Sequence, residues 1–247
     1  MTSKKDKASE RAGRAAEAFA AAKKKERRRN LFVTVGVVLA VLAIVAVGVG
    51  INALKDNNDQ KKIESSAPAA GSTDYGLVVG EDSAPHKIVV YEDFLCPICG
   101  ILESTAGERL NTLIADGKVQ IDYRPIAFLD TYSDEALNAF YVVRDEAGPE
   151  QAKKFHDLLF ADQPEEGSSS YPGADWFIQK AVEAGATAAQ VTDGIENDSQ
   201  AATATAATKE SSKAGVSGTP TILLDGKVFK QGSNWEEIAN NLVKAVE

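Results

Sequence analysis

The sequence predicts an α/β domain with a block of helices inserted at its middle, preceded by a single N-terminal transmembrane helix. Three observations predict it. One is an uncharged apolar run, Leu31 to Ile51, with a basic flank. The second is a β-α-β order that resumes, after a helical stretch, as β-β-α. The third is the chain's only two cysteines, held as Cys96-Pro97-Ile98-Cys99 between a β-like run and a helix-like one.

Residues 1–30 carry 11 Lys/Arg against four Asp/Glu and form a basic tail. The 21 residues that follow have Thr34 as their only hydroxyl. At about 1.5 Å per residue they span roughly 30 Å, the hydrocarbon thickness of a bilayer. A helix meets its own backbone hydrogen bonds and so can cross lipid. Lys23 to Arg29 abuts the run, so the positive-inside rule puts 1–30 in the cytoplasm, 31–51 across the membrane and the rest outside. A cleaved signal peptide has a short basic lead and a shorter apolar stretch, so an uncleaved single-pass anchor in the cell membrane is expected. Residues 52–74 are polar, then rich in Ser, Ala, Pro and Gly, and read as a flexible linker.

Residues 75–247 form the expected extracytoplasmic domain. Gly76 to Gly80 reads as an edge strand, and Lys87 to Phe94, β-branched and aromatic, as a core strand. Pro97 suits the first turn of a helix, which should run from Cys96 to Asp116 and stop at Gly117. Lys118 to Arg124 is a second strand. The helical insertion then covers about 127–210. Ser133 followed by Asp134 and Glu135 predicts a helix start at Ser133, running to Ala147. Glu150 to Phe160 and Ala174 to Ala184 follow as helices, and Thr187 to Gly215 as an Ala/Thr-rich helical stretch. Thr219 to Leu224 and Lys227 to Phe229 flank Asp225-Gly226, a two-residue hairpin signal. Trp235 to Val246 is an amphipathic helix with Ile238, Leu242 and Val246 in step.

Composition excludes some functions. Beyond residue 30 the chain holds 16 basic and 32 acidic residues, a poor match for nucleic acid. Zinc needs four ligands, and the spacing of Cys96, Cys99, His86 and His156 fits no zinc pattern. His156, among Phe155, Leu158 and Leu159, reads as a packed or surface helix residue. A structural disulfide between Cys96 and Cys99 would close a tiny loop and add little stability.

The two thiols point instead to redox exchange. Sulfurs three residues apart at a helix N-terminus can close and open a disulfide, and the helix end favours the first as thiolate. Outside the cytoplasm such a pair acts on other proteins' disulfides. Glu92 and Asp93 stand close by, either as proton relays to Cys99 or as solvated strand-end charges.

With Gly218-Thr219-Pro220 added, the sequence resembles the thioredoxin-like DsbA family of thiol–disulfide oxidoreductases, in its membrane-anchored Gram-positive form. The resemblance spans Leu77 to about Val246. It is carried by Phe94-Leu95-Cys96-Pro97-Ile98-Cys99 and by Gly215-Val216-Ser217-Gly218-Thr219-Pro220-Thr221. It implies a thioredoxin-like fold, with Cys96 as the exposed nucleophile and Cys99 as the resolving thiol. Pro220 is implied to be a cis-proline facing Cys96, and the Thr219 backbone to pair with a bound extended peptide. It further implies no cofactor beyond the redox-active Cys96–Cys99 disulfide. The partners it implies are reduced or misoxidised exported proteins and a quinone-linked membrane protein that reoxidises the dithiol. Ile98 replaces the His that strongly oxidising members carry between the cysteines. The Cys96 pKa is therefore expected below the free value of about 8.5 yet above the ~3.5 of the strongest oxidants, giving a milder oxidant. Leu95, where reductases carry Trp, argues against a thioredoxin-like reductase. A disulfide reductase or isomerase of the same fold, or a tethered peptide-binding or chaperone module with incidental cysteines, is the competing reading.

Overall fold

The computed structural model describes residues 56–247. The expected tail and membrane-spanning run lie outside the described residues; among those described, no helix is long and apolar enough to cross a membrane. Residues 56–66 are helical (α1). Five strands then form one sheet: β1 (Leu77–Val79), β2 (His86–Glu92), β3 (Val119–Pro125), β4 (Thr221–Leu224) and β5 (Lys227–Val228), in the order β1-β3-β2-β4-β5. β2 and β3 are parallel, joined through α2 (Pro97–Ala115), and the other pairings are antiparallel. Between β3 and β4 lie α3 (Thr131–Glu146), α4 (Pro149–Ala161), α5 (Ala174–Glu183), α6 (Ala188–Glu196) and α7 (Ala201–Lys213). α8 (Trp235–Val246) closes the chain.

The alternation of β2 explains the layers. Ile88 and Val90 face one side, into a core with Leu102 and Leu110 of α2, Phe140 of α3, Phe155 of α4 and Leu242 of α8. Val89 and Tyr91 face the other, packing with Leu223 and with Ile63 of α1. A strand apolar on both faces needs cover on both. The second cover is the stretch expected as a linker, and this corrects that reading for residues 56–74. Glu64 of α1 takes the Val228 N–H at 3.1 Å and pairs with Lys227 at 3.2 Å on the short edge strand. Beyond α1, Arg124 donates to the carbonyls of Pro68 at 2.9 Å and Ala69 at 2.7 Å, and Asp122 accepts the Gly71 N–H at 2.9 Å.

Local chemistry sets the boundaries. Gly117, at φ +70°, ends α2, and Lys118 N–H returns to the Leu113 carbonyl at 2.9 Å. Asp225 (φ +49°) and Gly226 (φ +76°) make the β4–β5 turn, both in the left-handed region a two-residue hairpin demands. α3 starts earlier than the expected Ser133: Asp130 is its N-cap, accepting from Thr131 N–H. Ser133 is turned inward, for a reason found at the site below. The stretch from 187 to 215 is two helices, broken around Asp198 (φ +50°), with a Thr187/Gln190 capping box opening the first.

Candidate active site

β2 ends at Glu92, and the chain turns through Asp93, Phe94 and Leu95 into α2. Cys96 is the N-cap of α2 and Pro97 its first residue, where a missing N–H costs nothing. No side chain caps this helix and no acidic residue sits in its first turn. Its free N–H groups are therefore left to the Cys96 sulfur. Cys96, expected as the exposed thiol, is itself buried, 6% exposed, and meets solvent only as part of a groove lining; Cys99, one turn on, is fully buried. Both are free thiols. The Thr219–Pro220 peptide bond is cis, and the Thr219 carbonyl accepts from Cys96 Sγ at 3.4 Å. An open groove of about 870 Å³ runs past Cys96, lined by Ile98, Phe128, Leu129, Val216 and Thr219, with Glu166 as its one charged side chain.

The two sulfurs are tuned apart. The Cys99 thiol, the Thr219 side chain and the N–H groups of Cys99 and Ile98 all favour the Cys96 thiolate. Together they outweigh burial and bring its pKa to about 6. Burial pushes Cys99 well up, and Cys96 and the Glu92 charge add to it. A titration follows from this. The reduced protein's thiolate absorbance at 240 nm should rise with a midpoint near pH 6, lost in Cys96→Ser. Because the folded pKa lies below the unfolded value of about 8.5, the thiolate adds no stability below pH 6. Its contribution grows between 6 and 8.5 and is lost again as pH falls. At pH 7 one unit of that window amounts to roughly 1.4 kcal/mol. The reduced form should therefore gain on the oxidised form by about 1 kcal/mol between pH 6 and 7 in paired urea melts, since the thiol is already half ionised at pH 6.

Behind the dithiol the polar groups separate into two sets. Asp93, fully buried, takes the Leu95 N–H at 2.8 Å and the Ser133 hydroxyl at 2.6 Å on one oxygen, and the Phe128 N–H at 2.7 Å on the other. It brackets the active-site turn to the start of the helical insertion, which is why Ser133 is unavailable as a cap. Glu92, also fully buried, faces His156 Nε2 at 2.8 Å, while His156 Nδ1 faces Asp157 at 3.0 Å. The reading of Glu92 and Asp93 as solvated charges is corrected by this burial. Burial opposes charge on His156, but the carboxylates of Glu92 and Asp157 push its pKa up, to about 9. Glu103 completes the cluster; burial and the Glu92 charge push its carboxyl up.

Among the described residues, Glu92, Glu103 and His156 are close enough to share a metal ion, their ligand atoms lying within 4.8 Å. The imidazole, however, is held at both nitrogens by carboxylates. That is the bonding of a protonated ring rather than of a metal ligand. The four residues weighed for zinc do not gather: His86 starts β2, paired with Asp225, a strand's length of roughly 20 Å from the end that carries Cys96.

Sequence reasoning missed Glu103, His156 as a site residue, and Gln163. Glu103 had a signal. It lies four residues after Cys99 and interrupts the buried face of α2 made by Cys99, Leu102, Ala106 and Leu110. Gln163, in a loop between helices, had none.

A family model described as thioredoxin matches residues 72–244. Reduced DsbA from Mycobacterium tuberculosis is 28% identical and superposes with a TM-score of 0.59, over 70% of this chain and 92% of that one. BdbD from Bacillus subtilis, 22% identical, shares the fold with a TM-score of 0.62, over 73% and 97%. The probable disulfide bond formation protein D of Bacillus cereus is 28% identical over 148 residues, 55% of this chain and 66% of that protein. The serine/threonine-protein kinase PknE of Mycobacterium tuberculosis is 30% identical over 103 residues; that match takes 38% of this chain and spans 18% of the kinase. The matched family model, the dithiol at the head of α2 and the likeness to the DsbA of Mycobacterium tuberculosis together place the sequence: the chain belongs to the thioredoxin family, within its DsbA-type thiol–disulfide oxidoreductases.

Proposed function

We propose that this enzyme introduces disulfides into exported proteins outside the cytoplasm, from an anchor at residues 31–51. The observation that carries the reading is the division of labour between the two sulfurs. Cys96, with its pKa at about 6, opens on an apolar groove, while Cys99 is sealed behind it with its pKa raised. In this reading a substrate thiolate attacks the Cys96 sulfur of the Cys96–Cys99 disulfide, and Cys99 leaves as a thiolate. A second substrate thiolate then attacks its own sulfur in the mixed disulfide and expels Cys96. Two electrons pass from the substrate dithiol to the enzyme. A leaving group of low pKa departs fast, so the second step runs at neutral pH. Cys99 leaves into a buried site that disfavours its charge, so it takes up a proton. Glu92, backed by Glu103 and His156, is the relay in this proposal, whereas Asp93 has its oxygens committed to the turn. The Thr219 backbone and Pro220 hold the extended substrate across the groove by main-chain pairing, which asks for no defined sequence. Reoxidation falls to a quinone-linked membrane partner.

The equilibrium potential against glutathione tests the direction. Thiolate stabilisation in the reduced form makes a disulfide more oxidising. A Cys96 held at about 6 therefore predicts a value between thioredoxin's about −270 mV and the about −120 mV of the strongest oxidants. A value at or below −270 mV would overturn the oxidase reading in favour of a reductase.

A further inference from the structure

The loop between α4 and α5 reaches back over the dithiol through one side chain. The Gln163 amide donates both its protons, to the Phe94 carbonyl at 2.9 Å and to the Cys96 carbonyl at 3.0 Å. These two carbonyls bracket Leu95, the residue at which the chain turns from the strand into α2. The same Cys96 carbonyl accepts the first helical bond of α2, from Gly100 N–H at 3.2 Å. Gly100 in turn leaves room for the amide: a Cβ there would lie 2.5 Å from Gln163 Oε1. α2 has no side-chain cap of its own. The direction of its first turn is thus held from outside, by a residue some 67 positions away in sequence.

We propose that Gln163 is a positioning residue for the Cys96 thiolate, fixing the turn ahead of α2 so that the free N–H groups of its first turn converge on the sulfur. The amide hydrogen-bonds to the two backbone carbonyls rather than to a sulfur. It acts through the backbone, and its effect is on where the donors point. A helix end stabilises a nearby anion only within the first turn and with its N–H groups aimed at it, so a small rotation of the turn is felt by the thiolate. This role also gives Gly100 a reason. Ala is a better helix former than Gly, yet at 100 its methyl group would displace the amide. The side chain in the left-behind space is the movable one, so the helix itself survives while the brace is lost. The proposal rests on Cys96 being the exchanged sulfur.

The test uses the full chain in its reduced form, with Gln163→Met, which keeps length and bulk but has no donor, and Gly100→Ala. Both should raise the midpoint of the 240 nm thiolate titration by about one pH unit, a modest share of what hydrogen bonds to a charged group supply. Iodoacetamide alkylation at pH 6 should then slow about fivefold, since the thiolate fraction falls with the shift. A brace with no say over the sulfur would lower the melting temperature in one or both variants and leave the titration where it was; that outcome overturns the proposal. Gly100→Ala guards against a Gln163→Met protein that does not fold, because its substitution favours helix locally. Cys96→Ser separates the two levels of the argument. If rapid alkylation at pH 6 persists in it, the exchange role of Cys96 falls and the positioning role with it. If alkylation is lost there but unmoved in the other two variants, only the positioning role falls.

Discussion

Cys96→Ser should abolish oxidation of a reduced test protein, by at least about a thousandfold, while Cys99→Ser should leave the protein able to react but unable to finish. The asymmetry follows from the geometry. Cys96 is the sulfur that meets the groove and the one held as thiolate near neutrality. A serine hydroxyl neither ionises there nor exchanges with a disulfide. Cys99 is fully buried and, unlike its neighbour, does not line the groove. Without it, Cys96 can still join an oxidised substrate in a mixed disulfide, but no second enzyme thiol returns to resolve it. Cys99→Ser should therefore accumulate adducts on non-reducing gels that dithiothreitol releases, and Cys96→Ser should accumulate none. The reverse pattern, adducts through Cys99 with Cys96 replaced, would sink the assignment of roles. Full activity in Cys96→Ser would instead favour the tethered peptide-binding module.

Much of this site is written in short sequence intervals, and those parts were legible. The strand, turn, Pro97 and helix around Cys96 are local, as is the Asp225-Gly226 hairpin, because each depends on a few neighbouring residues and on which backbone angles they permit. What the sequence hid are pairings across long separations. Glu92 meets His156 across 64 positions, Asp93 holds Ser133 across 40, and Gln163 reaches Cys96 across 67. Each looks unremarkable alone: a strand-end acid, a helix histidine, a loop glutamine. Ser133 misled for the same reason. Its type and spacing fit a cap, but a buried carboxylate already claimed its hydroxyl, and the helix took Asp130 instead. The stretch from 56 to 74 misled differently. It holds few large apolar residues, but Ile63 with Ala67 and Ala70, joined by Ile126 and Val216 from elsewhere in the chain, packs on that sheet face, and backbone carbonyls offered to an arginine hold the segment there. The warning was in β2, whose Ile88-Val89-Val90-Tyr91 is apolar on both sides and leaves no face for water.

That cover sets up the largest expected loss of stability, in Arg124→Ala. The Arg124 and Asp122 side chains are 3% and 0% exposed and pair at 2.8 Å on β3. Arg124 also donates to Tyr91 Oη at 2.8 Å and to the carbonyls of Pro68 and Ala69. Removing the guanidinium leaves a buried carboxylate without its counter-charge, and three acceptors lose their donor. Losing one partner of such a pair costs about 3–5 kcal/mol, several times what a surface ion pair contributes. A well-packed apolar replacement of both partners is often neutral, because no charge is then left stranded. Urea melts should accordingly rank Arg124→Ala far below the parent, with the double variant Asp122→Leu/Arg124→Leu recovering much of the difference. The same melts carry the argument to the segment the arginine holds. A chain beginning at residue 75 strips Ile63 from Val89, Tyr91 and Leu223 and leaves Arg124 without two of its carbonyls. It should lose stability on the scale of Arg124→Ala, and the further effect of Arg124→Ala within it should shrink, because the two changes act through shared partners. Full additivity of the two losses would mean that residues 56–74 lie on the sheet without being held by it.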